Sequence, residues 1–143
     1  MRLIVAVVTP SRFAAEEKLF ASATATKAER SVRSSIGSIV TLSQKFDGDD
    51  YIQHNPSIGD GLSGLGKALE AMAKAGVTMK YDRIHHVLGE GNFVLTVSEG
   101  TFAGEPTAFY DLFRVDRGKL AEHWDTIEAI PIRARWKNAN GKF

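Results

Sequence analysis

Tyr51, Gln53, His54 and Asn55 crowd four polar, chemically able side chains into five residues, and Pro56 closes the run. Three further candidates stand towards the other end of the chain: Asp111 in "FYDLF", and His123 and Asp125 in "AEHWD". Carboxylate and imidazole together are suited to proton transfer. An Asp takes a proton from carbon next to a carbonyl, and a His or second carboxyl donates to the oxygen that becomes negative. An amide such as that of Asn55 hydrogen-bonds a substrate oxygen. The chain has no cysteine, which removes thiolate nucleophiles, disulfides and cysteine zinc sites.

Other motifs carry less. The pair His85–His86 has the look of a metal motif, but adjacent strand residues point to opposite faces, so a packing or surface role is expected. His54, His123 and Asp111 together lack dedicated ligand spacing, and neither metal nor cofactor is expected. "FDGDDY" lacks the spaced ligands and closing Glu of a calcium loop and reads as a solvated turn. "GDGLSGLG" has no strand-GxxxxGK[ST] context for a phosphate loop.

The elements that must position these residues follow from periodicity. Leu62, Leu65, Leu69 and Met72 recur at helical spacing, and Gly76 stands where a helix C-cap is natural. From Thr78 the period becomes two, and "TMKYDRIHHVL", "NFVLTVSEGTF", "PTAFYDLFRV" and "KLAEHWDTIEAI" read as four strands. Their short connections contain Gly, so neighbours are antiparallel. Residues 11–22 and 28–45 read as helices on weaker signals, in an Ala/Ser/Thr-rich region, and residues 132–143 as a polar tail. Helices followed by a meander give an α+β fold: a curved antiparallel sheet with N-terminal helices over one face, forming a cone with a pocket inside.

Register decides which side chains meet. A two-residue type I′ turn at the last hairpin would put Arg117 at positive φ, so a three-residue loop with a bulge at Gly118 is expected, pairing Val115 with Lys119. Phe113 then opposes Ala121 and Asp111 opposes His123. Phe109, Asp111, Phe113, His123, Asp125 and Ile127 share one face. The same loop logic adds Leu95, Val97 and Glu99 to that face, and then Tyr81, Arg83 and His85. The result is an apolar wall interrupted by Asp111, His123, Asp125 and Glu99, as in a small-molecule site. Two carboxylates on one walled face should raise the pKa of one of them. Glu99 is expected to pair with Arg83. The other face, with Val94, Thr96, Tyr110, Leu112, Arg114, Glu122 and Trp124, suits a subunit interface.

At 143 residues the chain fits one domain, and its net charge of +1 without a basic stripe argues against nucleic acid. No apolar run approaches the roughly 20 residues of a membrane helix. The opening "MRLIVAVVTPSRFAAEE" has an apolar run shorter than a signal-peptide core, so a cytoplasmic protein is expected. A secreted form, cleaved near "ASATA", is the alternative.

"DDYIQHNPSIGDG" and "FYDLFRVDRGKLAEHWDTI" together resemble the SnoaL-like, polyketide cyclase-like branch of the nuclear transport factor 2-like superfamily, over residues 46–131. The resemblance implies a cone-shaped α+β fold, a homodimer, and a cofactor-free enzyme closing rings by aldol chemistry; relatives include isomerases, dehydratases and an epoxide hydrolase. It implies that Asp125 is the acid/base, and that the loop His and Asn are His54 and Asn55. Asp111 occupies a position that is more His-like in the cyclases, and residues 1–45 lack the early aromatic pattern.

The expected site therefore has Asp125 as base, with Asp111, His123 and His54 orienting or protonating. Asn55, Glu99, Val97, Phe109, Phe113 and Tyr81 would contact a small apolar carbonyl substrate. Water addition by two Asp and a non-catalytic ligand-binding dimer module remain open beside it. His123 as a holder of Asp111, and His54 as a cap of the following turn, stand equally beside their catalytic readings.

Overall fold

The computed structural model describes residues 46–143; the two expected N-terminal helices lie outside the described residues. A short 3-10 turn, Gly48–Asp50, leads into β1 (Ile52–Gln53), helix α1 (Gly61–Lys74), and four long strands. These are β2 (Met79–Glu90), β3 (Phe93–Phe102), β4 (Glu105–Asp116) and β5 (Lys119–Ala129), with a second 3-10 turn at Arg133–Arg135. The sheet order is β1-β5-β4-β3-β2, a curved α+β arrangement. No helix among the described residues is long and apolar enough to cross a membrane.

Helix α1 ends in a Schellman motif. Gly76 takes φ +69°, its N–H donates to the Ala73 carbonyl at 3.2 Å, and the Val77 N–H donates to the Met72 carbonyl at 2.9 Å. At its start, a Cβ on Gly64 would lie 2.1 Å from the Gly59 carbonyl oxygen, so the glycine-rich run lets the incoming turn lie against the helix. The Gly61 N–H donates to the Tyr51 carbonyl at 2.7 Å, tying the helix entry to β1.

β1 is a short parallel strand on β5, pairing Ile52 with Glu122 and Gln53 with His123. Strand alternation then sends Tyr51, Gln53 and Asn55 one way and Ile52 and His54 the other. Tyr51 and Gln53 are buried, whereas Ile52 and His54 are exposed.

The hairpins correct the expected register. All three are closed by two residues, pairing Glu90 with Phe93, Phe102 with Glu105 and Asp116 with Lys119. Ala103 and Arg117 adopt φ +51° and +48°, each followed by a glycine at positive φ, as type I′ turns require. The twist match of this turn outweighs the roughly 1–2 kcal/mol that a left-handed non-glycine residue costs. At the last hairpin a bulge between Arg114 and Val115 restores the parity. Phe113 faces His123 and Asp111 faces Asp125, so Phe109, Asp111, Phe113, His123, Asp125 and Ile127 do share one face, in rows displaced by two residues.

Between β3 and β4 nothing restores the parity. Val94 pairs with Phe113, Thr96 with Asp111 and Ser98 with Phe109. The inner face of β3 is therefore Val94, Thr96, Ser98 and Gly100, and Leu95, Val97 and Glu99 lie on the outer face. Two register shifts in β2 keep Tyr81 inside, opposite Gly100, while Arg83 lies opposite Glu99 on the outside. His85, in the second shift, binds Glu99 at 2.9 Å and stacks on Phe143.

An apolar plug of Val94, Phe113, Val115 and Leu120, with Phe46 and Val87 against it, closes the β4–β5 hairpin end of the inner face. The rows beyond it carry the polar residues.

Candidate active site

The central row of the inner face runs Thr96–Asp111–Asp125 across β3, β4 and β5. Asp111 is 3% exposed. Its Oδ1 accepts from His123 Nε2 at 3.1 Å and from the Tyr81 hydroxyl at 3.4 Å, while its Oδ2 is buried without a hydrogen-bond partner among the described residues. Asp125 sits directly opposite, and Asn55 Nδ2 lies 3.0 Å from both of its carboxylate oxygens.

β1 sets the state of His123. The Asn55 N–H donates to Gln53 Oε1 at 3.1 Å, which turns the Gln53 amide nitrogen towards His123 Nδ1, 3.3 Å away. In the neutral ring Nδ1 therefore accepts, and Nε2 carries the proton that it donates to Asp111. The ring stacks on Phe113 at 4.6 Å, and the Tyr81 ring lies 4.4 Å from Phe109. A side chain at Gly100 would meet the Lys80 carbonyl oxygen at 1.9 Å, so only glycine lets β2 approach where Tyr81 turns inward.

Two tyrosines border the carboxylates. Burial pushes the Tyr51 hydroxyl well above its usual pKa, and the charges of Asp125 and Asp111 push it further. Burial raises Tyr81 in the same way, followed by the charge and hydrogen bond of Asp111. Both hydroxyls are thus held protonated as donors near two carboxylates.

Of the expected site residues, Asp111, Asp125, His123, Asn55, Tyr81, Phe109 and Phe113 come together on the inner face. Three do not. His54 points outward, where its Nε2 lies 2.7 Å from Glu122 Oε1 and its ring stacks on Trp124 at 4.3 Å. Val97 and Glu99 are outward because the β3–β4 turn is one residue shorter than expected. Sequence reasoning gave no role to Tyr51, Gln53 or Ser98, and it put Thr96 and Val94 on the face expected to form a subunit interface, whereas the register places both on the inner face. The period of two in "YIQHN" carries the signal for Tyr51 and Gln53, since both alternate with the inward Asn55. Among the described residues no cluster of three His, Asp or Glu is placed to hold a metal ion.

No protein-family model matches the chain, and no curated protein does. Solved structures do. A candidate SnoaL-like polyketide cyclase from Shewanella putrefaciens superposes with a TM-score of 0.58 at 15% identity, over 88% of this chain and 92% of that one. A protein of unknown function with a cystatin-like fold from Xanthomonas campestris gives 0.57 at 21% identity, over 71% and 91%. A nuclear transport factor 2-like protein of unknown function from Burkholderia xenovorans gives 0.53 at 21%, over 80% and 96%. At these identities the likeness is one of fold: the chain has the curved-sheet α+β fold that these nuclear transport factor 2-like and cystatin-like structures share.

Proposed function

We propose that the inner face is the site of a cofactor-free enzyme that moves protons next to a carbonyl, in an aldol cyclisation or isomerisation. The observation that carries this reading is the pair of facing carboxylates, one with a buried free oxygen, beside two protonated tyrosines. Asp111 is the base in this arrangement, because its Oδ2 is free and its Oδ1 is held by His123 and Tyr81. It takes the α-proton, and the Tyr51 hydroxyl donates towards the enolate oxygen, while Tyr81 keeps its hydrogen bond to Asp111 Oδ1. The enolate carbon then attacks a second carbonyl, or is reprotonated at another position, and the proton returns from Asp111. Asp125, held by Asn55, orients the substrate. This assignment reverses the roles expected from the sequence.

The test is α-proton exchange of acetophenone in D2O, followed by NMR. Asp111→Asn should slow enzyme-dependent exchange by about 10²-fold or more, with a smaller loss for Asp125→Asn. Full exchange in Asp111→Asn and none in Asp125→Asn would return the base to Asp125. Binding of acetophenone without enzyme-dependent exchange would favour the ligand-binding module. Water addition is the second reading, favoured by Asn55 engaging both oxygens of Asp125 as in a carboxylate set to activate water; incorporation of solvent oxygen into an epoxide probe tests it.

The same reading includes a cytoplasmic homodimer joined through the outer face. Leu88 is 60% exposed there, Phe93 and Ile52 are exposed, and Leu112 and Trp124 stand between them. The tail covers one corner, with Lys142 over the Tyr110 ring. Sedimentation giving a monomer at tens of micromolar (an order-of-magnitude choice) would refute it.

A further inference from the structure

The inner wall of β3 is hydroxylated where an apolar wall was expected. Thr96 Oγ1 and Ser98 Oγ are buried on residues 0% exposed, and like Asp111 Oδ2 they have no hydrogen-bond partner among the described residues. These three atoms belong to adjoining inner-face positions: Thr96 lies directly opposite Asp111, and Ser98 is the next inward residue along the strand. Buried polar atoms are paired in most proteins, and leaving several unpaired in one patch is costly. A bound group that satisfies them explains the cost.

We propose that the Thr96 and Ser98 hydroxyls, beside the base Asp111, form a specificity edge that takes a carbonyl compound hydroxylated along one side. The proposal rests on the acid/base reading of the same face and names its substrate class. Thr96 and Ser98 both donate and accept, so they pair with hydroxyl or carbonyl oxygens. Inward positions two residues apart are separated by roughly 6–7 Å, and a hydrogen bond spans about 2.8 Å, so one ligand oxygen does not bridge both hydroxyls. The ligand therefore carries at least two oxygens on this edge besides the reacting carbonyl. A carboxylate or phosphate is disfavoured by Asp111 and Asp125.

The experiment compares two probes of one skeleton, acetophenone and 3,5-dihydroxyacetophenone, by calorimetry or protein NMR. The parent should bind the dihydroxy probe about tenfold more tightly or better. Thr96→Val and Ser98→Ala should each remove much of that preference while leaving acetophenone affinity unchanged, and Thr96→Ser should keep it. A parent that binds both probes equally, or a Thr96→Val/Ser98→Ala double variant with the preference intact, overturns the specificity edge while the acid/base site stands on acetophenone exchange. Failure of both probes to bind overturns both readings.

Discussion

Replacing Thr96 with Val should make the protein more stable, which few substitutions of a fully buried residue do. Thr96 sits at 0% exposure with its hydroxyl unpartnered. Burying a hydroxyl without a partner costs about 1–3 kcal/mol. Valine keeps the β-branch, so χ1 restriction and strand preference are unchanged. Its extra methyl replaces the hydroxyl in nearly the same volume and adds an apolar contact beside Val87, the cross-strand neighbour of Thr96. The expected gain is about 1 kcal/mol or more, a rise in Tm of roughly 3–6 °C for a domain of this size.

Thr107 supplies an internal control. It is also buried, at 2%, but its hydroxyl donates to the Glu105 carbonyl at 2.8 Å. The same Thr→Val change there removes a made hydrogen bond and should cost about 0.5–1.5 kcal/mol. Thermal denaturation of the two variants beside the parent is the assay, and opposite signs are the expected result. If Thr96→Val lowers Tm as much as Thr107→Val, the Thr96 hydroxyl is satisfied in the folded state and the argument for a specificity edge loses its basis.

Two further outcomes follow from the geometry. Tyr51 and Tyr81 hold their protons more tightly folded than unfolded, so the stability they contribute is full below about pH 10 and is lost as pH rises towards their folded values. Tm should fall steeply above about pH 10, with tyrosinate absorbance from these two residues rising only as the fold opens; ionisation of Tyr51 and Tyr81 near the usual 10.0 in the folded protein would contradict their burial. Arg117→Asn, at a φ of +48°, should stabilise by a few tenths to about 1 kcal/mol, since Asn tolerates the left-handed region better and, among the described residues, the exposed Arg117 side chain forms ion pairs with Asp116 at 3.2 Å and Asp47 at 3.9 Å; a lower urea midpoint would show those pairs to matter more.

What the sequence revealed and what it hid divide along one physical line. Periodicity located the helix and all four long strands, because a change from helical to alternating spacing is written in every residue of an element. Strand faces depend instead on loop length modulo two. For β5 the expected three-residue loop and the actual two-residue turn with its bulge have the same parity, so Asp111, His123 and Asp125 fell on one face either way. For β3 the type I′ turn at Ala103–Gly104 shifted the register by one, which sent Val97 and Glu99 outward and brought Thr96 and Ser98 in. Nothing in "TFAGE" favours positive φ at Ala103, so that error had no local signal. The parallel pairing of β1 was equally hidden, although the alternation within "YIQHN" already separates His54 from Asn55.

β1 makes a statement about mechanism that can be tested at one atom. His123 donates to Asp111 from Nε2 and accepts from the Gln53 amide at Nδ1, and the Gln53 oxygen is engaged by the Asn55 N–H. For His123 to take up a proton, it must do so at Nδ1, where the Gln53 N–H already points. In the proposed reaction His123 is therefore read as a positioning residue for Asp111 rather than a proton shuttle. Gln53→Glu replaces that N–H by an acceptor with almost no change of shape. One carboxylate oxygen still accepts the Asn55 N–H, and the other now accepts from a protonated Nδ1. The imidazole should then stay charged to a higher pH than in the parent. The folded state gains stability that is present at low pH and lost as pH rises through the histidine's folded value. The added positive charge beside Asp111 weakens the proposed base, so α-proton exchange at acidic pH should fall below the parent's rate and the gap should close as the histidine loses its proton. Histidine NMR titration and the exchange profile read the two effects separately. An unchanged His123 titration would mean that Gln53 does not set the tautomer, and a shifted titration with an unchanged exchange profile would remove Asp111 from the chemistry.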